Sequence, residues 1–409
     1  MTIPVAASAR QAERLDPIDP GELARAAGQA VATVRRGVDL FGSRFPGDCS
    51  VDGRYQDREG GSQPGANIGW TTGFRTGMIW LANELRPDPT LHAAGLADVD
   101  SFADRLRRRV ELDTHDIGFL YLPSCVAAWR LVGSREGLAV GLGAAEALMG
   151  RFVEPAGIFQ AWGPLMDSVQ AGRAIIDSAM NMPLLHWASR LSGDPAYAAA
   201  ATRHMRQLRD RLVRADNSTF HTFVWDTRTG APLFGATAQG YSDGSCWARG
   251  QAWAVYGFAL NYRWTGDATF LDAARRCAEF YLSHLPADHV PYWDLVFQNE
   301  ACGQPRDSSG AAIAVCGLLE LAGLVPDPAG RERYRAAALA TLDALIADYA
   351  PDPRTGPNAQ LLHGVYDIPS GSGVDEASLW GDFFYVEALT RLILPAWTPY
   401  WLTGLEQPA

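Results

Sequence analysis

Six times along its 409 residues this chain alternates between two kinds of helical segment. A polar, small-residue loop leads into a run that is apolar nearly all round, and a charged amphipathic run follows. The all-round apolar runs fall near residues 70–85, 116–132, 177–191, 247–264, 308–324 and 380–394. The amphipathic ones fall near 22–38, 91–111, 136–152, 195–214, 268–285 and 331–349. A helix apolar on every side must be enclosed, whereas one with a polar face can coat the outside. The spacing of about sixty residues exceeds that of usual solenoid repeats, and an open array would need capping units that the sequence lacks. The pattern predicts a closed ring of six helical hairpins, an all-α (α/α)6 barrel in a single domain.

Little else competes with that reading. Residues 1–20, with Pro4, Pro17 and Pro20, read as a flexible N-terminal arm, and residues 21–409 as the barrel. A stretch from 45 to 65, rich in Gly, Asp, Arg and Pro, marks an exposed loop. Strand signals are few. His221-Thr-Phe-Val-Trp225, followed by Asp226–Gly230, reads as a short hairpin within a loop.

Composition mainly excludes. A net charge of −11 argues against nucleic acid and anionic membranes as partners. Every basic side chain besides histidine is arginine, so neither Schiff-base nor Walker-type lysine chemistry is open to the chain. Six scattered cysteines, Cys49, Cys125, Cys246, Cys277, Cys302 and Cys316, include no C-x-x-C pair and read as reduced, mostly buried thiols. No secretory signal or membrane-length apolar run is present, so a cytoplasmic location is expected.

If the ring closes, the N-terminal ends of its inner helices and the loops before them line one mouth. Asp116 and Asp177 each head an inner helix there, and two carboxyls at one mouth are the minimum equipment for acid/base work on a sugar. Either could instead cap its helix. Many of the 13 tryptophans sit at these mouth segments, where indole faces can stack on pyranose rings. Arg249, at a helix start with Gln239 nearby, suits a sugar carboxylate, the alternative being a salt bridge to a mouth aspartate. Only His115 and His221 fall in mouth segments, too few for a metal site. Asp307 and Asp382 read as caps or supports.

Several of these stretches together resemble glycoside hydrolase family 88, the unsaturated glucuronyl hydrolases. They are T-H-D-I-G-F at 114–119, I-I-D-S-A-M-N-M-P-L-L at 175–185, G-Y-S-D-G-S-C-W-A-R-G-Q-A-W at 240–253, D-S-S-G-A-A-I at 307–313 and G-V-D-E-A-S-L-W-G-D-F-F-Y at 373–385. The resemblance covers roughly residues 20–395 and implies the same (α/α)6 barrel. It also implies cleavage of the unsaturated uronic acid that polysaccharide lyases leave at the non-reducing end of their products, with no metal or nucleotide cofactor. In that chemistry the aspartate matching Asp177 protonates carbon 4 of the vinyl ether and helps activate the water that adds at carbon 5. The one matching Asp116 assists it. Trp70, His115, Trp162, His221, Gln239, Trp247, Arg249 and Trp253 fall where the family binds substrate, and Ser370 where some members meet a sulfate. A carbon acid/base of this kind needs a carboxyl protonated near neutrality, so an elevated pKa is expected for Asp177.

The loop Ile368-Pro-Ser-Gly-Ser-Gly373 keeps Ser370 and Ser372 but lacks the lysine found there in members favouring sulfated sugars, so unsulfated or lightly sulfated substrates are expected. Competing readings are an unsaturated rhamnogalacturonyl hydrolase acting on pectin fragments and a sugar 2-epimerase on the same barrel, for which His115 and His221 would have to exchange protons. A non-catalytic sugar-binding protein would keep the tryptophans without needing both aspartates. Oligomeric state cannot be read from the sequence.

Overall fold

The computed structural model describes residues 18–298, 303–352 and 356–402. The expected N-terminal arm falls almost wholly outside them, as does Cys302. Helices alternate as the apolar pattern predicts. The inner ones are α2 (Thr72–Leu85), α4 (Ile117–Tyr121) continued by α5 (Ala127–Val132), α7 (Pro183–Ser192), α9 (Ala248–Thr265), α11 (Ser308–Leu324) and α13 (Leu379–Ile393). The outer ones are α1 (Pro20–Phe41), α3 (Pro89–Arg107), α6 (Arg135–Met149), α8 (Pro195–Arg211), α10 (Ala268–Ser283) and α12 (Pro328–Ala344). Packing runs from α2 to α4, α7, α9, α11 and α13, then back from α13 to α2, so the ring closes.

Burial separates the two layers. In α9 every residue from Ala248 to Asn261 is buried, and in α13 every residue from Leu379 to Thr390. In α10 only Phe270, Ala273, Ala274, Cys277, Ala278 and Tyr281 are, a single stripe at helical spacing. Outer helices begin on side-chain caps: Asp19, Asp88, Ser134, Asp194, Asp267 and Asp327 each accept a backbone N–H of the first turn. Four of them are followed at once by proline, which needs no N–H partner at that position.

Two inner helices are irregular at the mouth. Pro123 cannot donate in the helical ladder, and the chain crosses it in a π turn, Leu122–Val126, between α4 and α5. Before α7 comes a 3-10 turn, Ile176–Met180, which carries Asp177. At the far end of the barrel a buried charge network ties three inner helices. Arg391 donates to Glu320 at 2.9 Å and to Glu387 at 2.9 Å, while Arg263 also reaches Glu320 and the Tyr256 hydroxyl donates to Glu387.

Strands are short and confined to the loops. The hairpin expected near residue 221 exists: β4 (Thr222–Trp225) pairs antiparallel with β5 (Pro232–Ala236), and on its other edge with β3 (Arg173–Ile175). Two further hairpins carry no clear sequence signal, β1 (Phe152–Val153) with β2 (Ile158–Phe159) and β6 (Gly364–Asp367) with β7 (Ser372–Glu376). Among the described residues no helix is long and apolar enough to cross a membrane.

Candidate active site

Asp116 and Asp177 stand at the starts of neighbouring inner segments, within electrostatic reach of one another, and neither carboxylate is spent on capping. Asp116 occupies the N-cap position of α4 without making a side-chain cap bond; its Oδ2 accepts the Thr114 hydroxyl at 2.6 Å. Asp177 lies in the first turn of the 3-10 segment, and its buried Oδ1 has no hydrogen-bond partner. The two residues retain 7% and 8% exposure, so each keeps a little accessible surface without being open to bulk water.

Burial sets their acidity. It pushes Asp177 up to about 7, with the neighbouring Asp116 carboxyl adding to the rise and Arg249 opposing it. Burial pushes Asp116 up to about 7 as well, opposed by the Thr114 hydroxyl and by Arg151 and Arg105. Asp382 is also pushed up to about 7 by burial, so acidity alone does not mark a site. The difference is in the partners. Asp382 accepts the Gln360 and Leu361 N–H groups and the Tyr55 hydroxyl, and it lines a cleft beside α1 rather than the mouth, where the sequence pattern had placed it.

Around the pair the structure gathers most of the residues singled out in the sequence. Trp247 packs on His221 at 4.4 Å between ring centroids, and half-buried Trp162 meets His221 edge-on at 6.3 Å. The His221 Nδ1 accepts the Ala238 and Gln239 N–H groups, which puts its own hydrogen on the unpartnered, buried Nε2. Burial, helped by Arg249 and Arg173, holds His221 at about 3, so it is a neutral donor. Half-buried Trp70 stacks on Trp380 at 5.0 Å and donates to the Tyr366 hydroxyl at 2.9 Å. Gln239 donates to the Tyr366 carbonyl at 3.3 Å. Arg249 lies between the Trp247 and Trp380 rings and donates to Asp307 at 3.2 Å, to the Tyr366 carbonyl at 2.7 Å and to the Val365 carbonyl. Its ion-pair partner is thus Asp307, so the alternative reading, a salt bridge to an aspartate of the mouth segments, holds, though neither Asp116 nor Asp177 is the partner.

Three residues sit elsewhere than a substrate-facing role requires, and Arg249, 1% exposed, has its guanidinium engaged by Asp307 and two carbonyls. Trp253 has no exposed surface and backs Phe119 at 5.1 Å, one layer beneath the mouth. His115 has none either. Its Nε2 lies 3.2 Å from Asp116 Oδ1 but off the hydrogen-bonding line, and burial with Arg151 nearby holds it neutral, at about 3. Ser370 is exposed at the β6–β7 turn, where its N–H and hydroxyl both bond to Asp367. Tyr366 escaped the sequence reading, although it joins Trp70, Gln239 and Arg249. Its signal, an aromatic within Gly364–Asp367 just before the Ser370 loop, is visible only once that segment is known to be a strand over the mouth.

An (α/α)6 ring with a buried carboxyl pair among indoles is the equipment of a glycosidase, and the chain is one. It belongs to Glycosyl Hydrolase Family 88, whose model matches residues 50–354. It is 42% identical over 381 residues to the unsaturated chondroitin disaccharide hydrolase of Streptococcus pneumoniae, covering 93% of this chain and 94% of that one. The crystal structure of the unsaturated glucuronyl hydrolase from Streptococcus agalactiae superposes with a TM-score of 0.89 at 40% identity, covering 94% of this chain and 95% of that one. An asparagine-for-aspartate mutant of the same enzyme, complexed with dGlcA-GalNAc6S, superposes with a TM-score of 0.82 at 38% identity, over 94% and 95% of the two chains.

Proposed function

We propose that this chain removes the 4,5-unsaturated uronic acid from the non-reducing end of glycosaminoglycan-type di- and oligosaccharides, by hydrating the ring double bond. The observation that carries the reading is the Asp116–Asp177 pair, buried and raised to near neutrality, with one Asp177 oxygen unpartnered at the mouth. Both carboxyls are raised to about 7; Thr114, Arg151 and Arg105 favour the Asp116 anion, while on Asp177 the Asp116 carboxyl opposes ionisation and Arg249 favours it. We assign the proton to Asp177, the one of the two with a carboxyl raising it and an unpartnered oxygen.

Asp177 gives that proton to carbon 4, and the electron pair of the double bond forms the new C–H bond. Positive charge develops at carbon 5 and the ring oxygen. Water adds at carbon 5 as the Asp177 carboxylate takes its proton, which restores the acid. The hemiketal opens by breaking the bond between carbon 5 and the ring oxygen, which leaves a ketone at carbon 5 and a hemiacetal at carbon 1. The hemiacetal collapses to an aldehyde and expels the shortened sugar, whose oxygen takes the proton, leaving a keto acid. Arg249 and the His221 Nε2–H are the donors for the substrate carboxylate and hydroxyls, and Trp70, Trp162 and Trp247 supply ring faces. His115 and Trp253 act through Asp116 and Phe119. Five cysteines among the described residues are free thiols, in keeping with action in the cytoplasm.

Unsaturated disaccharides from hyaluronan, chondroitin, heparin and pectin are the test. Loss of the ultraviolet absorbance of the conjugated double bond with the first two is expected, and turnover of the pectin fragment alone would favour the rhamnogalacturonyl reading. The exposed Ser370 turn offers hydroxyls but no cation of its own, since residues 368–373 include neither arginine nor lysine. Unsulfated disaccharides should therefore have kcat/KM at least about threefold above their 6-sulfated counterparts, the worth of roughly 0.7 kcal/mol. A clear preference for the sulfated sugar would overturn that specificity.

A further inference from the structure

The two aspartates belong to different inner helices, and one side chain joins those helices at the mouth. Asn181, with no exposed surface, directly follows the 3-10 turn that carries Asp177. Its Oδ1 accepts the Phe119 N–H at 2.7 Å, and its Nδ2 donates to the Asp177 carbonyl at 3.4 Å. Phe119 is in the first turn of α4, where a backbone N–H has no acceptor within the helix, so Asn181 caps α4 from outside. The fit is close. A Cβ on Gly118 would lie 2.5 Å from both the Asn181 Cα and its Oδ1, so only glycine lets the two segments come this near. The turn's other flank is seated as firmly: Asn261 of α9 donates to the Ala179 carbonyl at 2.9 Å, and a Cβ on Gly257 would lie 2.5 Å from the Ala179 Cβ.

We propose that Asn181, seated against Gly118, is a positioning residue that sets the separation of the Asp116 and Asp177 carboxyls. The proposal rests on the acid/base assignment to that pair. Asparagine suits the task because it offers an acceptor to one helix and a donor to the other from a single short side chain. If the two segments part, the push of Asp116 on Asp177 weakens and water enters. Both changes let Asp177 lose its proton at lower pH.

Asn181→Ala and Gly118→Ala in the full chain test this, with kcat and KM for an unsaturated disaccharide followed against pH. The expected result is a fall in kcat of about ten- to a hundredfold, the scale of a small misplacement of reacting groups. KM should change by less than about threefold, because binding groups are untouched. The alkaline limb of the kcat profile should move to lower pH by at least about half a unit in both variants. Gly118→Ala keeps both hydrogen-bonding groups of Asn181, so agreement between the variants assigns the effect to spacing. Should Asn181→Ala fail to fold, Asn181→Ser is read in the same way. Loss of activity or melting temperature with an unmoved alkaline limb would make Asn181 purely structural and overturn the proposal. Wild-type turnover that survives Asp177→Asn would instead overturn the acid/base assignment, a separate result.

Discussion

Asp177→Asn will abolish turnover and yet stabilise the protein above neutral pH. The kinetic half follows from chemistry. Asparagine has no proton to give carbon 4 and cannot take one from water, so kcat should fall by about 10³-fold or more, with KM little changed. The stability half follows from linkage. Burial, with Asp116 beside it, raises the folded-state pKa of Asp177 from 3.8 to about 7. Below pH 4 the carboxyl is protonated in folded and unfolded chains alike, and it costs nothing. Between about pH 4 and 7 the unfolded chain releases the proton while the folded one keeps it, so stability falls as pH rises. Above the folded value the whole cost is present, up to about 4 kcal/mol at 1.36 kcal/mol per unit. The amide carries no such cost. Relative to their difference well below pH 4, the variant should gain about 1.6 kcal/mol over the wild type at pH 5 and about 4 kcal/mol at pH 8. A difference in stability that is the same at both pH values would mean that Asp177 is not the buried, proton-holding acid of this site.

The barrel was readable because it is written in composition, residue by residue. Segments such as Ala248–Asn261 and Leu379–Thr390 have no polar face to present, and only enclosure by other helices satisfies them. The loops were not. Strands of two to five residues, such as β1, β2, β6 and β7, exist only because the ring brings their ends together, and nothing in Gly364–Asp367 announces a partner at Ser372–Glu376. At the site, sequence placed the right residues at the right ends of helices but could not give depth. Trp253 and His115 stand beside mouth residues along the chain. The rotation of α9 and the approach to α4 turn both inward, to 0% exposure. Asn181 was visible only as one letter of a motif. Its two hydrogen bonds depend on how closely Gly118 lets two helices meet, a distance that no single-sequence pattern contains.

Asp307→Ala should cost more stability than any other single change at the mouth. Asp307 has no exposed surface and four dependants. It accepts the Ser309 N–H at 3.1 Å as the cap of α11, the Ser309 hydroxyl at 2.5 Å, the Val365 N–H at 3.3 Å and the Arg249 guanidinium at 3.2 Å. Removing it leaves Arg249, itself 1% exposed, as a buried charge without its counter-ion, which alone costs about 3–5 kcal/mol. Asp307→Asn is the gentler probe. It keeps an oxygen for the Ser309 N–H but removes the charge that holds Arg249 between Trp247 and Trp380. Arg249 is the proposed contact of the substrate carboxylate, and a charged hydrogen bond is worth about 1.5–3 kcal/mol. KM for an unsaturated disaccharide should therefore rise by about ten- to a hundredfold in Asp307→Asn, with kcat falling less. Calorimetry of both variants and steady-state kinetics of the second check the two halves separately. A destabilised Asp307→Asn with an unchanged KM would show that Arg249 braces the β6 strand over the mouth and does not grip the substrate.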